Sequence, residues 1–253
     1  MRDTKQMIRM RSAQIAPNKE AAHPFDIEHG TDTGGYLSPL EIITGHAHDE
    51  QQYGYSAIAP SVFRAMCARW RDTLTDPVRG PAAYSFVDIG AGKGRAVLLA
   101  SQIPFRKVIG VELSAKLARI AESNAEHWSA KKTGGPRAAI HVLSQDALQF
   151  CWPRTSLLVF LYNPFACELV EQLLERLEAA ARRGHASKGD DPEARPSSAI
   201  DLLYANPTCA DVVSKRGKWV LLWTDRIDMD AADQLADPYG TTFDRVSCYR
   251  LRA

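Results

Sequence analysis

Phe86-Val87-Asp88-Ile89-Gly90-Ala91-Gly92-Lys93-Gly94-Arg95 is the stretch on which the reading of this chain turns. An apolar run from Tyr84 to Ile89 reads as a strand, three glycines follow at alternate positions, and Arg95 to Gln102 reads as a helix that stops before Pro104. Glycines there let the backbone approach a ligand closely, and the helix behind them offers unpaired N–H groups. On the C-terminal side strands and helices keep alternating. Lys107 to Glu112 is a second strand, and Ser114 is placed to cap a helix running to about Ser129. Lys131 to Pro136 reads as a loop, Ala139 to Leu143 as a third strand and Ser156 to Leu161 as a fourth, its apolar run suited to burial on both faces. Cys167 to Arg183 is an amphipathic helix, about 184–198 a flexible polar insertion, and Ala199 to Ala205, Lys218 to Trp223 and Phe243 to Leu251 the last three strands. On the N-terminal side Val62, Phe63, Met66 and Trp70 recur at helical spacing, closed by Pro77 and Gly80-Pro81.

This order predicts an α/β fold: a doubly wound, mostly parallel seven-stranded sheet with helices on both faces. It occupies residues 53–253, behind an N-terminal arm or cap over 1–52 that reads as irregular. Ligands in such sheets bind outside the carboxyl ends of the strands.

Composition narrows the function. The 253 residues are 45% hydrophobic and 24% charged, enough to bury a core. With 31 Lys and Arg against 30 Asp and Glu, the net charge of +1 argues against nucleic acid held by bulk charge. The longest apolar runs fall short of the roughly 18 residues a membrane span needs, and the N-terminus lacks the apolar centre of a secretory signal. Cys67, Cys151, Cys167, Cys209 and Cys248 are scattered and odd in number. They read as buried thiols in a reducing, cytoplasmic setting rather than as disulfides or zinc ligands. Of the histidines, His46 and His48 stand two apart with no cysteine near, so no metal is expected.

The glycine spacing discriminates between nucleotides. A P-loop needs G-x-x-x-x-G-K-[ST], but Gly94 follows Lys93 and Val87 stands where the first glycine belongs. A dinucleotide loop needs G-x-G-x-x-G, and Arg95 occupies the third glycine position. Glu112 closes the second strand 18 residues after Gly94, near the roughly 20 at which an acid meets a ribose. Asp88-x-Gly90-x-Gly92-x-Gly94 resembles the first motif of class I, seven-strand S-adenosylmethionine (SAM) methyltransferases. The resemblance implies that Asp88, Gly90, Ala91, Gly92 and Gly94 hold the amino-acid end of SAM. It implies that Glu112 and Leu113 hold the ribose, and Asp146 and Ala147 the adenine.

Leu161-Tyr162-Asn163-Pro164-Phe165 resembles the Asn-Pro-Pro-aromatic signature of nitrogen methyltransferases, one proline short. It implies that Asn163, with Tyr162 and Phe165, shapes the acceptor site, where Glu168 or a water would assist an amine. The Gly30-Thr31-Asp32-Thr33-Gly34 stretch, the Tyr53-Gly54-Tyr55 turn and the motifs above are together similar to a bacterial branch of that class, over roughly residues 25–205. The Tyr-Gly turn and the Asn-Pro-Phe also resemble the histone-lysine methyltransferases built on this fold. By implication Thr31, Asp32 and Thr33 fold over the cofactor and Tyr53 or Tyr55 lines the methyl channel. The expected activity is methylation of a protein lysine or a small amine. An O-methyltransferase, a nicotinamide oxidoreductase and a non-catalytic SAM-binding module remain as alternatives.

Overall fold

In the computed structural model, which describes residues 23–74, 80–130, 137–186, 199–237 and 240–252, the glycine loop joins two elements at the middle of one sheet. The chain runs α1 (Pro24–His29), β1 (Tyr36–Leu37), β2 (Tyr55–Ser56), α2 (Pro60–Arg71), β3 (Tyr84–Ile89) and α3 (Arg95–Ala100). It continues through β4 (Lys107–Glu112), α4 (Ala115–Ala130), β5 (Ile140–Ser144), β6 (Ser156–Tyr162), α5 (Cys167–Ala186), β7 (Ile200–Ala205), α6 (Ala210–Lys215), β8 (Trp219–Asp228), α7 (Ala231–Ala236) and β9 (Phe243–Leu251). The loop read over Lys131 to Pro136, residues 187–198 of the expected insertion and the first 22 residues of the arm lie outside the described residues.

The seven strands are ordered β5-β4-β3-β6-β7-β9-β8. The first five in that order are mutually parallel, and β9 runs antiparallel to both β7 and β8. Period-two alternation assigns the side chains to two layers. Val87, Ile89, Leu157, Val159 and Leu161 pack with Leu173, Leu174 and Leu177 of α5 and with Val213 of α6. Phe86, Leu158 and Phe160 pack on the other side with Val62, Phe63 and Met66 of α2 and with Val97 and Leu98 of α3. Trp70 of α2 is fully buried, and its Nε1–H donates to Asp201 Oδ2 at 2.9 Å. Among the described residues no helix is long and apolar enough to cross a membrane.

Four expectations need correction. The first 52 residues are not irregular throughout: α1 forms, with Pro24 at its start, the His23 ring capping Phe25 N at 3.1 Å and Gly30 left-handed at its end. The helix after the glycine loop ends at Ala100 rather than Gln102, and the strand begun at Trp219 runs on to Asp228 because it pairs along almost all of β9. Two of the five cysteines are not thiols: Cys167 and Cys209 form a disulfide. They are 42 residues apart in sequence, but β6 and β7 are parallel neighbours, so residues just past their ends meet with Cα atoms 5.3 Å apart.

The segment ahead of β1 is held to the glycine loop by one buried carboxylate. Asp26 Oδ1 accepts from Thr31 Oγ1 at 2.7 Å, Thr33 N at 2.9 Å and Thr33 Oγ1 at 2.6 Å. Its Oδ2 accepts from Arg95 Nη2 at 3.2 Å, and Arg95 Nε donates to Thr33 Oγ1 at 2.7 Å. Asp26 and Arg95 are 5% and 4% exposed, so either charge left alone would be stranded in a medium that cannot solvate it. Asp26→Ala and Arg95→Ala are each expected to lower unfolding free energy by about 3–5 kcal/mol. The double variant should lose much less than the sum, as chemical denaturation of the three proteins would show.

Candidate functional site

The strand order reverses between β3 and β6, the place where a doubly wound sheet opens a crevice. A cleft of about 820 Å³, including its open mouth, lies there. The fold supplies one wall from the β3–α3 loop and the ends of β4 and β5. The other comes from the Tyr162–Phe165 loop and from residues of the N-terminal cap.

The cap is joined to that loop by backbone pairing. Tyr53 N donates to Pro164 O at 3.0 Å, Ala166 N donates to Gln51 O at 2.8 Å, and Gln52 bridges Phe165 between them. Both glycines of the loop that face the cleft have left-handed backbone, with φ of 75° at Gly90 and 55° at Gly92. They also accept close neighbours: a Cβ on Gly90 would sit 2.6 Å from Pro164 Cβ, and one on Gly92 2.1 Å from Tyr55 Cε2. Tyr55 is fixed over the loop by its hydroxyl, which donates to Thr33 O at 2.6 Å.

Of the residues expected to hold a cofactor, Gly90, Gly92, Glu112, Leu113, Asp146 and Ala147 line the cleft, with Tyr55 from the cap. Tyr162 and Phe165 line it as well. Asp88, Ala91 and Gly94 belong to the same loop but are not in its wall. Thr31, Asp32 and Thr33 are not in the wall: they bind Asp26, Asn124, Lys93 and Arg95. Asn163 is also outside the wall. It is left-handed, with φ of 46°, and its Oδ1 accepts from Thr208 Oγ1 at 2.6 Å and Tyr204 OH at 3.4 Å. That side chain ties the end of β6 to the turn after β7.

Glu112, 6% exposed, accepts from Gly92 N at Oε2 and from Ser114 N at Oε1, both at 2.8 Å. A carboxylate has about four lone-pair sites, which leaves room for a ligand hydroxyl. Burial raises the Glu112 pKa, and the bonds from Ser114, Gly92 and Leu113 oppose the rise. Asp88, 3% exposed, is pushed up to about 8 by burial and then by the nearby Glu112 charge. No hydrogen bond among the described residues offsets this. Asp146 caps a short turn, Oδ1 accepting from Leu148 N at 2.9 Å.

The cleft has a conspicuous charge pattern. Glu112 and Asp146 line it, and no Lys or Arg among the described residues does. Both basic residues of the glycine loop turn to the N-terminal segment instead. Lys93 Nζ donates to Asp32 Oδ1 at 2.7 Å and Gly34 O at 2.9 Å, and Arg95 reaches Thr33 and Asp26.

Sequence reasoning missed three contributors. His48 and Gln52 reach the wall from the cap. Asp244, 2% exposed at the start of β9, stands behind Tyr162, whose hydroxyl donates to its two oxygens at 3.3 and 3.4 Å. Asn206 Nδ2 donates to Asp244 Oδ1 at 2.7 Å. Burial raises the Asp244 pKa, the bonds from Asn206 and Tyr162 lower it, and Asp237 adds to the rise. A repeated signal pointed here: Asn206-Pro207 ends β7 as Asn163-Pro164 ends β6, and both asparagines are left-handed. Glu168, proposed to assist an amine, is exposed in the first turn of α5, where its charge adds to the burial that raises the Tyr53 phenol. Among the described residues no three His, Cys, Asp or Glu side chains gather as a metal site.

No protein-family model matches the chain. A 56-residue stretch, 22% of the chain, is 45% identical to release factor glutamine methyltransferase of Geobacter sulfurreducens, and it spans 20% of that relative's length. Among solved structures, magnesium protoporphyrin IX methyltransferase from Synechocystis with bound SAM superposes with a TM-score of 0.46 at 15% identity, over 77% of this chain and 79% of that one. RNA methyltransferase from Salinibacter ruber in complex with S-adenosyl-L-homocysteine gives 0.44 at 14% identity, over 78% and 94%.

The raised Asp88 pKa makes a pH test with a definite sign. Unfolded, this carboxyl ionises near its usual value of about 3.9. Folded, it holds its proton up to about 8, so stability is lost progressively as pH rises between those two values. Asp88→Asn should melt close to wild type at acid pH and several degrees above it at pH of about 9. Thermal unfolding across that range measures it.

Proposed function

We propose that this chain transfers a methyl group from SAM to a nitrogen acceptor, a protein lysine or a small amine. The observation that carries the reading is the charge of the cleft. A nicotinamide dinucleotide brings a pyrophosphate, and the loop's two cations are committed to Asp26, Asp32, Thr33 and Gly34. A cationic nucleoside without phosphate suits two acids in a wall that holds no Lys or Arg among the described residues. The short match to a glutamine methyltransferase supports methyl transfer as the activity.

Glu112 would accept the ribose hydroxyls and Asp146 the exocyclic amino group of adenine. The amino-acid end would lie along Gly90 and Gly92, with the buried Asp88 behind them. Bound SAM supplies an electrophilic methyl on a sulfonium. The Tyr162 and Phe165 rings border the remaining wall, where an aromatic face attracts a cation or stacks on a planar acceptor. Asn163 would act through the loop it anchors rather than by touching the acceptor. A proton shed by the acceptor has a place to go, since Tyr162 Oη is bonded to the Asp244 carboxylate. Hydrogen bonds of this length tighten in productive complexes.

Calorimetry with S-adenosylhomocysteine tests the cofactor. Wild type should bind, NADH should not, and Glu112→Gln should weaken binding at least about tenfold, the worth of one charge-assisted hydrogen bond. NADH binding without S-adenosylhomocysteine binding would overturn the reading. Transfer of a labelled methyl group to amine, phenol, peptide and RNA acceptors then tests the acceptor, and labelling only of the phenol or RNA would replace nitrogen of a lysine or amine.

A further inference from the structure

Among the described residues His48 is the one ionisable cap side chain in the cleft wall other than tyrosine, and it meets Asp146 at the end of β5 there. Its Nε2 lies 3.7 Å from Asp146 Oδ2, both side chains being largely shielded from solvent. Asp146 is already oriented by its own turn: Oδ1 takes Leu148 N at 2.9 Å, and Oδ2 lies 3.5 Å from Gln149 Nε2. His48 therefore borders the oxygen of Asp146 that its own turn holds less closely. The histidine is presented by a built turn. His48 N donates to His46 Nδ1 at 3.2 Å, and His46 N donates to Thr44 Oγ1 at 3.1 Å. The Asp49 carboxylate closes the turn, accepting from Thr44 N, Gly45 N and Gln52 Nε2 at 2.9, 2.7 and 3.0 Å. Ile42, Leu113, Leu117 and Leu148 line the same cleft, an apolar surface suited to the face of a purine.

We propose that His48 is a positioning residue of the nucleoside site: its imidazole borders Asp146 Oδ2 and keeps that oxygen placed to accept from the exocyclic amino group of the purine. The proposal rests on the SAM reading and adds to it that the cap helps to build the cofactor site. An uncharged imidazole at this distance leaves the Asp146 lone pairs to the ligand. Protonated imidazole makes a charge pair with Asp146, which competes with the base, and sets a positive charge beside a cationic ligand. Histidine is the side chain whose charge changes between about pH 5 and 8. The charged and titratable groups that face His48 are His46, with ring centres 4.8 Å apart, and Asp49 from its own turn, and Asp146 from across the cleft. Glu112 is the other acid of the wall, and Asp88 behind the loop titrates at about 8, above the histidine range.

The test is calorimetric binding of S-adenosylhomocysteine to the full chain between about pH 5.5 and about pH 7.5, a range set by histidine titration. Wild type should lose affinity on acidification, by up to about tenfold per pH unit for one linked proton. His48→Gln, which keeps a donor but cannot charge, should bind within a few-fold of wild type at the upper pH and stay nearly flat toward the lower. His127→Gln, at an exposed position of α4 outside the cleft wall, should keep the wild-type profile. His48→Asn should abolish the acid dependence too, so the result does not hang on one variant's folding. An acid dependence that survives in both His48 variants overturns the proposal, as does a wild-type profile with none. Uniform weakening at every pH, with the slope kept, would mean that His48 only shapes the cap. Failure of wild type to bind at any pH would overturn the SAM reading itself, an outcome distinct from the others.

Discussion

The bond between Asp26 and Arg95 is the contact on which the site depends. It removes two charges from water in one step, so neither is tolerable without the other. It also fixes the N-terminal segment against the glycine loop. With that segment in place, Thr33 receives the Tyr55 hydroxyl, Tyr55 covers Gly92, and residues 51–53 reach the loop after β6. The same bond decides what the loop can hold. An arginine beside a glycine-rich turn would ordinarily favour phosphate. Here it is turned to a carboxylate of the chain, and the cleft is left acidic.

The centre of the sheet was legible because Tyr84–Ile89, Ser156–Tyr162 and Ile200–Ala205 are apolar runs buried on both faces. The cofactor wall was legible for the same reason: Gly90, Gly92, Glu112 and Asp146 sit at ends of strands whose order is fixed by alternation. The Arg95 substitution that spoke against a dinucleotide was visible too, but its partner was not. Asp26 lies 69 residues earlier, in a stretch with no periodicity.

What was not legible depends on tertiary contacts between short pieces. A six-residue helix capped by a histidine ring carries too few turns to show a period. Asn163 matched a motif in type and position, and its left-handed backbone and its bond to the Thr208 hydroxyl on the turn after β7 could not be read from that match. Asp244 carries no local signal of function, since its partners Tyr162 and Asn206 come from two other strand ends. The cysteine count misled because pairing follows strand adjacency and not spacing along the chain.

The Cys167–Cys209 bridge gives the middle of the chain a covalent continuity that does not run through its backbone. It encloses α5 and β7 in one ring. A protease that cut anywhere between these cysteines would leave two peptides still joined as a single covalent unit. The loop after β6, which lines one side of the cleft, and the turn after β7 would stay tethered until a reductant opened the ring.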